Sequence, residues 1–323
     1  MIPTPESLRA NRLWSGAAAL LLAAAVAAVG WFVSPSPYVF LIVLAAAAVV
    51  GVLAYRFGTR RGRRRLAVLA RPFPDDWQRI LDERVAFYAA LTDEEQDRFR
   101  KLVAVFLDET PITAAGCEVD DACRLLVAAS AVVPIFGFPA WEYGMLREVV
   151  VRGEEFDFRF PGELSDSVGI QGLVGNSGGA FNGVMVLSKA DLVRGFDVPD
   201  DKHNVGIHEF AHLIDKAGGA IDGVPASLPR ECLRPWLQLV REELRRRYVD
   251  WPDIPEYAFT NEQEFFAVAT EYFFEAPEEL AARHPRLYEM LERVFRQNMR
   301  SRLRGLVRKI ARPKRRRRQK RPA

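Results

Sequence analysis

Two uncharged apolar stretches near the N-terminus constrain the fold more than any other feature of this sequence. Residues 13–33 contain no charged side chain, and as an α-helix they would be about 31 Å long, enough to cross the hydrocarbon core of a bilayer. The sequence SPSP at residues 34–37 ends that helix, because proline cannot continue one. Residues 38–55 are again uncharged and just long enough to cross. The sequence therefore predicts a transmembrane hairpin at residues 13–55.

The arginines around the two spans predict their orientation. Arg9 and Arg12 precede the first span, six arginines lie within residues 56–65, and the turn between the spans carries no charge. Because positively charged flanks stay on the cytoplasmic side, we expect residues 1–12 and the chain after the hairpin to be cytoplasmic, in an inner (cytoplasmic) membrane crossed twice. A cleaved signal peptide is the rival interpretation, but the first span is long for one and a second span follows almost at once.

Beyond the hairpin the composition divides the chain into three parts. Residues 56–69 form a basic juxtamembrane linker, residues 70–300 have the composition of a globular domain, and residues 301–323 form a basic tail. The net charge of the whole chain is only +3, so the molecule as a whole is not a binder of polyanions. Its three cysteines make no even disulfide framework, and we expect reduced thiols in a cytosolic domain.

The basic tail has two interpretations. Leu303, Leu306, Val307 and Ile310 recur at helical spacing among arginines and lysines, as in an amphipathic helix that lies on anionic lipid. The alternative is a helix end that caps the core, followed by a solvated run of charge. Nucleic-acid binding would rest on the charge run alone, because no DNA- or RNA-binding motif accompanies it. We therefore expect no nucleic-acid partner.

The globular domain is predicted to be α+β, mostly helical with a small sheet. Apolar residues recur at helical spacing in residues 73–91, 92–110, 120–136, 234–248 and 262–275. Strand patterns occupy residues 147–153 and 182–188, with a glycine-rich loop at residues 172–181 between them. Thr92 precedes Glu95 by three residues, which predicts a capping box. The last helix contains four phenylalanines, which we expect in the core.

Two histidines and a glutamate stand among apolar residues in NVGIHEFAHLID, residues 204–215. His208 and His212 are four apart, so on a helix their imidazoles project from one face and can bind the same tetrahedral Zn²⁺. Glu209 lies beside that face, where it could take a proton from the water that zinc activates. The alternative is a pair of hydrogen-bonded helix histidines beside a solvated glutamate. The apolar neighbours favour the metal site, because unpaired polar groups are costly to bury.

A catalytic zinc also needs a third protein ligand and one open position. His203 lies just before the helix, and His284 is expected at an exposed helix start, so neither suits this role. Glu264 and Glu271 are seven apart on one face of the phenylalanine-rich helix, and we expect one to bind zinc and the other to support a ligand. Asp215, three residues after the second motif histidine, is a candidate to hydrogen-bond an imidazole N–H.

A family resemblance is carried by two segments, HEFAHLIDKAGGAIDGVP and YAFTNEQEFFAVATEYFFEAPEEL. They resemble the Mlc titration factor A family of zinc metallopeptidases, and the resemblance extends from about Trp77 to Phe295. It implies a zincin-like metallopeptidase fold in which the two motif histidines bind zinc and Glu209 is the catalytic base. It also implies that Glu264 is the third ligand and that Glu271 has a conformational or supporting role.

The same resemblance singles out a tyrosine and a partner. The family's active site is similar to that of anthrax lethal factor, in which a tyrosine seven residues before the ligand glutamate serves the reaction. Tyr257 has that spacing from Glu264, and its hydroxyl could donate to the oxyanion that forms on a peptide carbonyl. A packed loop aromatic is the alternative for Tyr257. The family's name further implies a regulatory protein partner.

Together these patterns predict a membrane-anchored cytoplasmic zinc peptidase acting on a peptide or protein substrate. An aminopeptidase-like preference is what the family implies. The strand at residues 182–188 could pair with an extended substrate as an added strand. The alternative is a regulator-binding module with a vestigial or structural zinc site. Glu209 argues against that alternative, because a structural site needs no base.

The predicted topology can be tested with reporter fusions at each end. A reporter that works only in the cytoplasm should be active when fused after Ala323 or at the N-terminus, because the arginines keep both flanks of the hairpin in the cytoplasm. Activity of a periplasmic reporter at the C-terminus would contradict the hairpin.

Overall fold

The computed structural model describes residues 2–33, 36–153, 183–198, 200–219, 222–250 and 253–304. The chain divides into two compact units, Met1–Pro72 and Phe73–Ala323. The predicted glycine-rich loop at residues 172–181 and the tail from residue 305 onward lie outside the described residues.

The first unit consists of helices that follow the predicted spans. They are α1 (Pro5–Val33), α2 (Pro37–Gly58) and α3 (Arg60–Leu69). By length and composition, Glu6–Phe32 and Pro37–Gly58 could each cross a membrane. The predicted linker is itself largely helical, because α3 follows α2 after the single residue Thr59.

Small residues bring α1 and α2 into close contact. A Cβ atom at Gly30 would collide with the side chain of Val43, and one at Gly58 would lie 2.6 Å from Oγ of Ser15. Because residue 30 meets residue 43 while residue 58 meets residue 15, the helices run antiparallel, as a hairpin requires. Glycine lets the backbones approach, which is how helices pack where the surroundings are as apolar as their side chains.

The second unit is mostly helical with a small sheet, as predicted. Its first half contains α4 (Asp75–Arg84), α5 (Ala86–Ala89), α6 (Asp93–Glu109), β1 (Ile112–Ala115), α7 (Asp121–Ile135), β2 (Glu148–Arg152), β3 (Val184–Ser188) and α8 (Lys189–Asp197). It continues with α9 (Val205–Lys216), α10 (Leu233–Asp250), α11 (Glu262–Glu275), α12 (Pro277–Arg283) and α13 (Pro285–Phe295). Short 3₁₀ turns at Arg230–Cys232 and Glu256–Phe259 precede α10 and α11.

The sheet of the described residues has three parallel strands in the order β1-β2-β3. Ile112 of β1 pairs with Val149 of β2, which in turn pairs with Met185 of β3. Parallel pairing needs a crossover connection, and α7 lies between β1 and β2 in the chain. The strand patterns predicted for residues 147–153 and 182–188 are confirmed as β2 and β3. The four-residue strand β1 was not predicted.

Two apolar helices, α7 and α11, occupy the centre of the core. All residues of α7 from 123 to 134 except Arg124 are buried, and α11 buries every residue from 265 to 274. The four phenylalanines of α11 are therefore core residues, as predicted. A helix that is apolar on all sides must be surrounded by other elements, and this requirement holds α11 inside the unit.

The capping box predicted at the start of α6 is confirmed. The backbone N–H of Glu95 donates to Oγ1 of Thr92 at 3.3 Å, and the backbone N–H of Thr92 donates to Oε2 of Glu95 at 3.0 Å. These bonds satisfy two backbone donors at the helix start, which fixes where α6 begins.

The first residues of the basic tail pack on the second unit. The guanidinium of Arg302 lies 3.1 Å from Oε1 of Glu95 and over the ring of Phe87, at 5.1 Å from its centroid. Arg300 and Arg304 both form ion pairs with Glu278. Arg302 and Arg304, the first arginines of the tail, thus contact carboxylates of the globular domain.

Gly206 sets the distance between α9 and α7 and provides a test of this packing. A Cβ at Gly206 would overlap Oγ of Ser130 and lie 2.7 Å from its Cβ. Glycine to alanine inside a helix normally stabilises by about 1 kcal/mol. We expect Gly206→Ala to destabilise instead, by about 1–3 kcal/mol, because the core would be overpacked. Thermal or urea unfolding of the purified protein measures this.

A second substitution serves as the control for that test. Ser130→Gly removes the atoms that the new methyl group would meet, so the double variant should recover part of the lost stability. A Gly206→Ala variant as stable as the parent would show that α9 and α7 are not packed at this distance.

Candidate metal centre

Helix α9 begins at a defined residue and therefore presents its histidines in a defined direction. The backbone N–H of Ile207 donates to Oδ1 of Asn204 at 3.1 Å, which caps the helix. Ile207 and Phe210 are buried in the core. His208 and His212, one turn apart, project from the helix toward α11, with ring centroids 4.8 Å apart.

Helix α11 supplies a carboxylate to the same place. Asn261 caps α11, since its Oδ1 accepts from the backbone N–H of Glu264 at 2.8 Å. Glu264 therefore lies in the first helical turn, ahead of the buried phenylalanine-rich part. Its side chain is 27% exposed, in contrast to the fully buried residues that follow it. This position gives a carboxylate that faces the two histidines and remains open to solvent.

Three ligand atoms converge between the two helices. Nε2 of His208 lies 3.2 Å from Nε2 of His212 and 3.2 Å from Oε2 of Glu264. Nε2 of His212 lies 3.6 Å from Oε1 of Glu264. Ligands at roughly 2.0–2.1 Å from a tetrahedral zinc are about 3.3 Å from one another, so the three side chains fit such an ion. Within the described residues, this is the one cluster of histidines, cysteines and carboxylates that could hold a metal.

Glu271 fixes the orientation of the first histidine. Its Oε1 lies 2.7 Å from Nδ1 of His208, and its Oε2 accepts from the backbone N–H of Asn204 at 2.6 Å. With the Nδ1 proton held by a carboxylate, Nε2 of His208 keeps its lone pair for a metal. One buried carboxylate of α11 thus holds both the cap and the first histidine of α9.

The surroundings of the histidines favour a positive charge between them and the carboxylates. Burial lowers the pKa of His208, but Glu271 and Glu264 outweigh it and raise that pKa well above its ordinary value. Burial and the charge of His208 lower the pKa of His212 to about 4. Burial raises the pKa of Glu264, yet the contacts with His208 and His212 prevail and hold it at about 2. A divalent cation supplies the same positive charge.

Glu209 lies beside this cluster as a separate carboxyl group. Its side chain is buried, and burial raises its pKa to about 7, with the charge of His208 opposing the rise and those of Glu264 and Glu271 adding to it. A carboxyl group with a pKa near neutrality can both accept a proton and return it. The arrangement therefore combines a candidate base with a candidate metal site.

Tyr257 lies close to His208. It belongs to the 3₁₀ turn before α11, and its ring centroid is 6.3 Å from that of His208. The turn follows Asp253, whose Oδ2 accepts from the hydroxyl of Tyr272 at 2.7 Å and lies 2.9 Å from Nε2 of His284. A buried carboxylate thus ties the chain segment that carries Tyr257 to α11.

Two expectations for individual residues were wrong. His284 was expected at an exposed helix start, but it is only 5% exposed and contacts Asp253. The charged neighbours of His284 face solvent, whereas its imidazole points inward. Asp215 is fully buried, but its Oδ2 accepts from the backbone N–H of Gly223 at 2.9 Å instead of from an imidazole. His203 is exposed and lies outside α9, as expected. The contributions of Asn204 and Asp253 were missed; the position of Asn204 before a helical pattern was a usable signal.

Comparison with known proteins places this geometry in a family. The profile of the family described as glucose-regulated metallo-peptidase M90 matches residues 59–296. The chain belongs to the M90 family. An uncharacterized protein, slr2042, of Synechocystis sp. is 29% identical over 265 residues, covering 76% of this chain and 93% of the relative. Mlc titration factor A of Escherichia coli (strain 55989 / EAEC) is 29% identical over 245 residues, covering 70% and 88%. That of Escherichia fergusonii is 30% identical over 232 residues, covering 67% and 84%.

The M90 match separates the chain at the end of α2. It begins at residue 59, directly after α2 ends at Gly58, and therefore earlier than the limit at Trp77 expected from the sequence. The two candidate membrane spans lie outside it, whereas α3 and all the candidate site residues lie inside it. The M90 part and the apolar hairpin are thus separate parts of the chain.

Zinc affinity should distinguish the proposed ligand of α11, Glu264, from Glu271, the carboxylate that supports His208. Glu264→Ala removes a donor atom, so we expect a larger loss of affinity than for Glu271→Ala. For Glu271→Ala we expect about 10–100-fold, the usual effect of removing a group that orients a ligand. Competition with a chromophoric chelator measures both affinities.

The remaining histidines are the controls for that measurement. His203→Ala should leave zinc affinity unchanged, because His203 is exposed and outside the cluster. His284→Gln should also leave it unchanged. Release of zinc by the His284 variant, with Glu264→Ala still binding normally, would contradict the proposed ligand set.

Proposed function

We propose that this M90 protein is a zinc-dependent peptidase with a zincin-like catalytic domain, anchored in the inner membrane and facing the cytoplasm. The convergence of His208, His212 and Glu264 at 3.2–3.6 Å, with Glu209 beside them, is the observation that carries the proposal. Zinc bound there supplies a Lewis acid that lowers the pKa of water to about 7 and polarises a carbonyl.

The residues of the chain have distinct roles in this proposal. Glu209 accepts the proton of the attacking water at its carboxylate and returns it to the leaving amine, which its pKa of about 7 permits. Tyr257 donates a hydrogen bond from its hydroxyl to the oxygen that becomes negative when the peptide carbonyl is attacked. Glu271 holds the imidazole of His208 in one tautomer through the 2.7 Å contact with Nδ1.

The apolar surface of the first unit supports membrane anchoring. Leu20, Leu21 and Phe32 of α1 are 74%, 73% and 87% exposed, and Ile42 of α2 is 70% exposed. Contiguous apolar surface of this kind indicates contact with lipid or protein, and two helices of spanning length favour lipid. The arginines at residues 56–65 and the free cysteines of the second unit support a cytoplasmic location for that unit.

A second candidate function comes from the names of the relatives. Two of the similar proteins are called Mlc titration factor A, which describes proteins that titrate Mlc. A regulator-binding role for this chain, with a structural or vestigial metal site, is the corresponding proposal. The presence of Glu209 beside the three candidate ligands favours the peptidase, because metal binding by these ligands does not need a further acidic group.

The variant Glu209→Gln tests the peptidase proposal. The amide cannot accept a proton, so we expect peptide hydrolysis to fall by at least about 10²-fold while zinc affinity stays within a few fold of the parent. Turnover of a fluorogenic peptide library by the full chain in detergent, with zinc bound per chain measured in parallel, provides both quantities.

A matched substitution controls for the loss of one carboxylate. Glu262→Gln removes a carboxylate from the exposed start of α11 and should leave hydrolysis unchanged. Hydrolysis by Glu209→Gln at the rate of the parent would rule out Glu209 as the base. A parent protein that binds zinc, hydrolyses nothing in the library and binds a repressor would favour the regulator-binding role.

A further inference from the structure

Positive charge is concentrated in the first unit. Residues 1–72 contain nine arginines, no lysine and a single acidic residue, Glu6, so their net charge is 9 − 1 = +8. The whole chain has a net charge of +3, and residues 73–323 therefore carry 3 − 8 = −5. None of these arginines lies within residues 13–33 or 38–55, so the charge of the first unit lies outside its uncharged apolar stretches.

The packing of the hairpin brings most of these arginines to one end. An added Cβ at Gly58 would meet Ser15, and one at Gly62 would lie 3.3 Å from Cδ2 of Leu8 and 3.5 Å from Nδ2 of Asn11. The start of α1 therefore lies against the end of α2 and the start of α3. Five of the exposed arginines of this region form what we call the arginine collar: Arg9, Arg12, Arg56, Arg60 and Arg63.

Exposed aromatic side chains adjoin the collar. Trp14, two residues after Arg12, is 77% exposed, and Phe57, next to Arg56, is 79% exposed. Aromatic side chains of this kind occupy the level of lipid headgroups, where the ring is half in the apolar phase. The collar starts within a helical turn of them, so in a bilayer its guanidinium groups would be at the level of the lipid phosphates.

Helix α3 holds the collar in place without using up its donors. It continues from α2 after one residue, and Nη2 of Arg63 donates to the carbonyl oxygen of Arg56 at 2.8 Å. A guanidinium has five N–H donors, so this single bond leaves others directed at a ligand. Glu6 is the single carboxylate in residues 1–72 that could neutralise the collar from within the unit.

We propose that the arginine collar binds the phosphate groups of anionic phospholipids. This inference rests on the proposed membrane anchoring and adds a selective lipid partner to it. Arginine forms bidentate hydrogen bonds to phosphate, and a collar of five can hold more than one headgroup. The adjoining apolar spans and aromatic rings favour lipid over nucleic acid as the source of the phosphate, because only lipid brings acyl chains to the same place.

Spin-labelled lipids test the proposal on the full chain reconstituted in phosphatidylcholine vesicles. The fraction of label that the protein immobilises is measured for spin-labelled phosphatidylglycerol and for spin-labelled phosphatidylcholine. We expect phosphatidylglycerol to be preferred by about fivefold, a preference that falls toward equality at high salt, because the attraction is electrostatic.

Two paired variants assign the preference to the collar. Arg60→Gln with Arg63→Gln should reduce it by at least half, while Arg9, Arg12 and Arg56 remain to keep the topology. Arg79→Gln with Arg286→Gln removes the same charge from exposed positions of the second unit and should leave the preference unchanged.

Three results would overturn the inference, and a separate one would overturn the anchoring. An inserted protein that immobilises both lipids equally, a control pair that lowers the preference as much as the collar pair, or a DNA duplex bound by the collar in place of lipid would each contradict it. Release of the full chain from membranes by alkaline carbonate would instead contradict the anchoring on which the inference rests.

Discussion

The second unit depends on one buried carboxylate, that of Glu271, which joins α11 to α9. Imidazoles and carboxylates are costly to bury unless each is paired, and Glu271 pairs with both Nδ1 of His208 and the backbone N–H of Asn204. Both contacts require α9 to lie at a fixed distance and rotation relative to α11. Glycine at position 206 lets α9 approach its other neighbour, α7, and the buried phenylalanines hold α11 in place.

Much of the metal centre follows from spacing within single helices. The four-residue spacing of His208 and His212 and the seven-residue spacing of Glu264 and Glu271 each place two side chains on one face, and the structure directs both faces into one cluster. Spacing within a helix does not predict the contacts between distant segments of the chain. The backbone N–H of Asn204 donates to Glu271, which lies 67 positions further along the chain, and no pattern near Asn204 predicts that partner.

The errors have the same origin. Asp215 has the right helical spacing to reach an imidazole, but its carboxylate instead accepts a hydrogen bond from the backbone N–H of Gly223, a residue beyond the end of α9. The predicted linker at residues 56–69 is largely helical, because arginine has a good helix propensity and continues the helical path of α2. Strands β2 and β3 were predictable from their runs of valine, whereas β1, with the sequence ITAA, has no comparable pattern.

A buried carboxylate at Glu209 is unfavourable for the stability of the fold, but the proposed reaction needs one there. Three donor atoms would leave a bound zinc one open position, whereas a zinc that only stabilises the fold is almost always held by four protein ligands. Glu209 adds one more acidic group to a buried cluster in which burial and two neighbouring carboxylates disfavour its charge, so its pKa rises to about 7. A structural or vestigial centre gains nothing from this group and would be more stable with an amide or an apolar side chain there. A centre that activates water instead requires a base beside the ligands, which is the role proposed for Glu209.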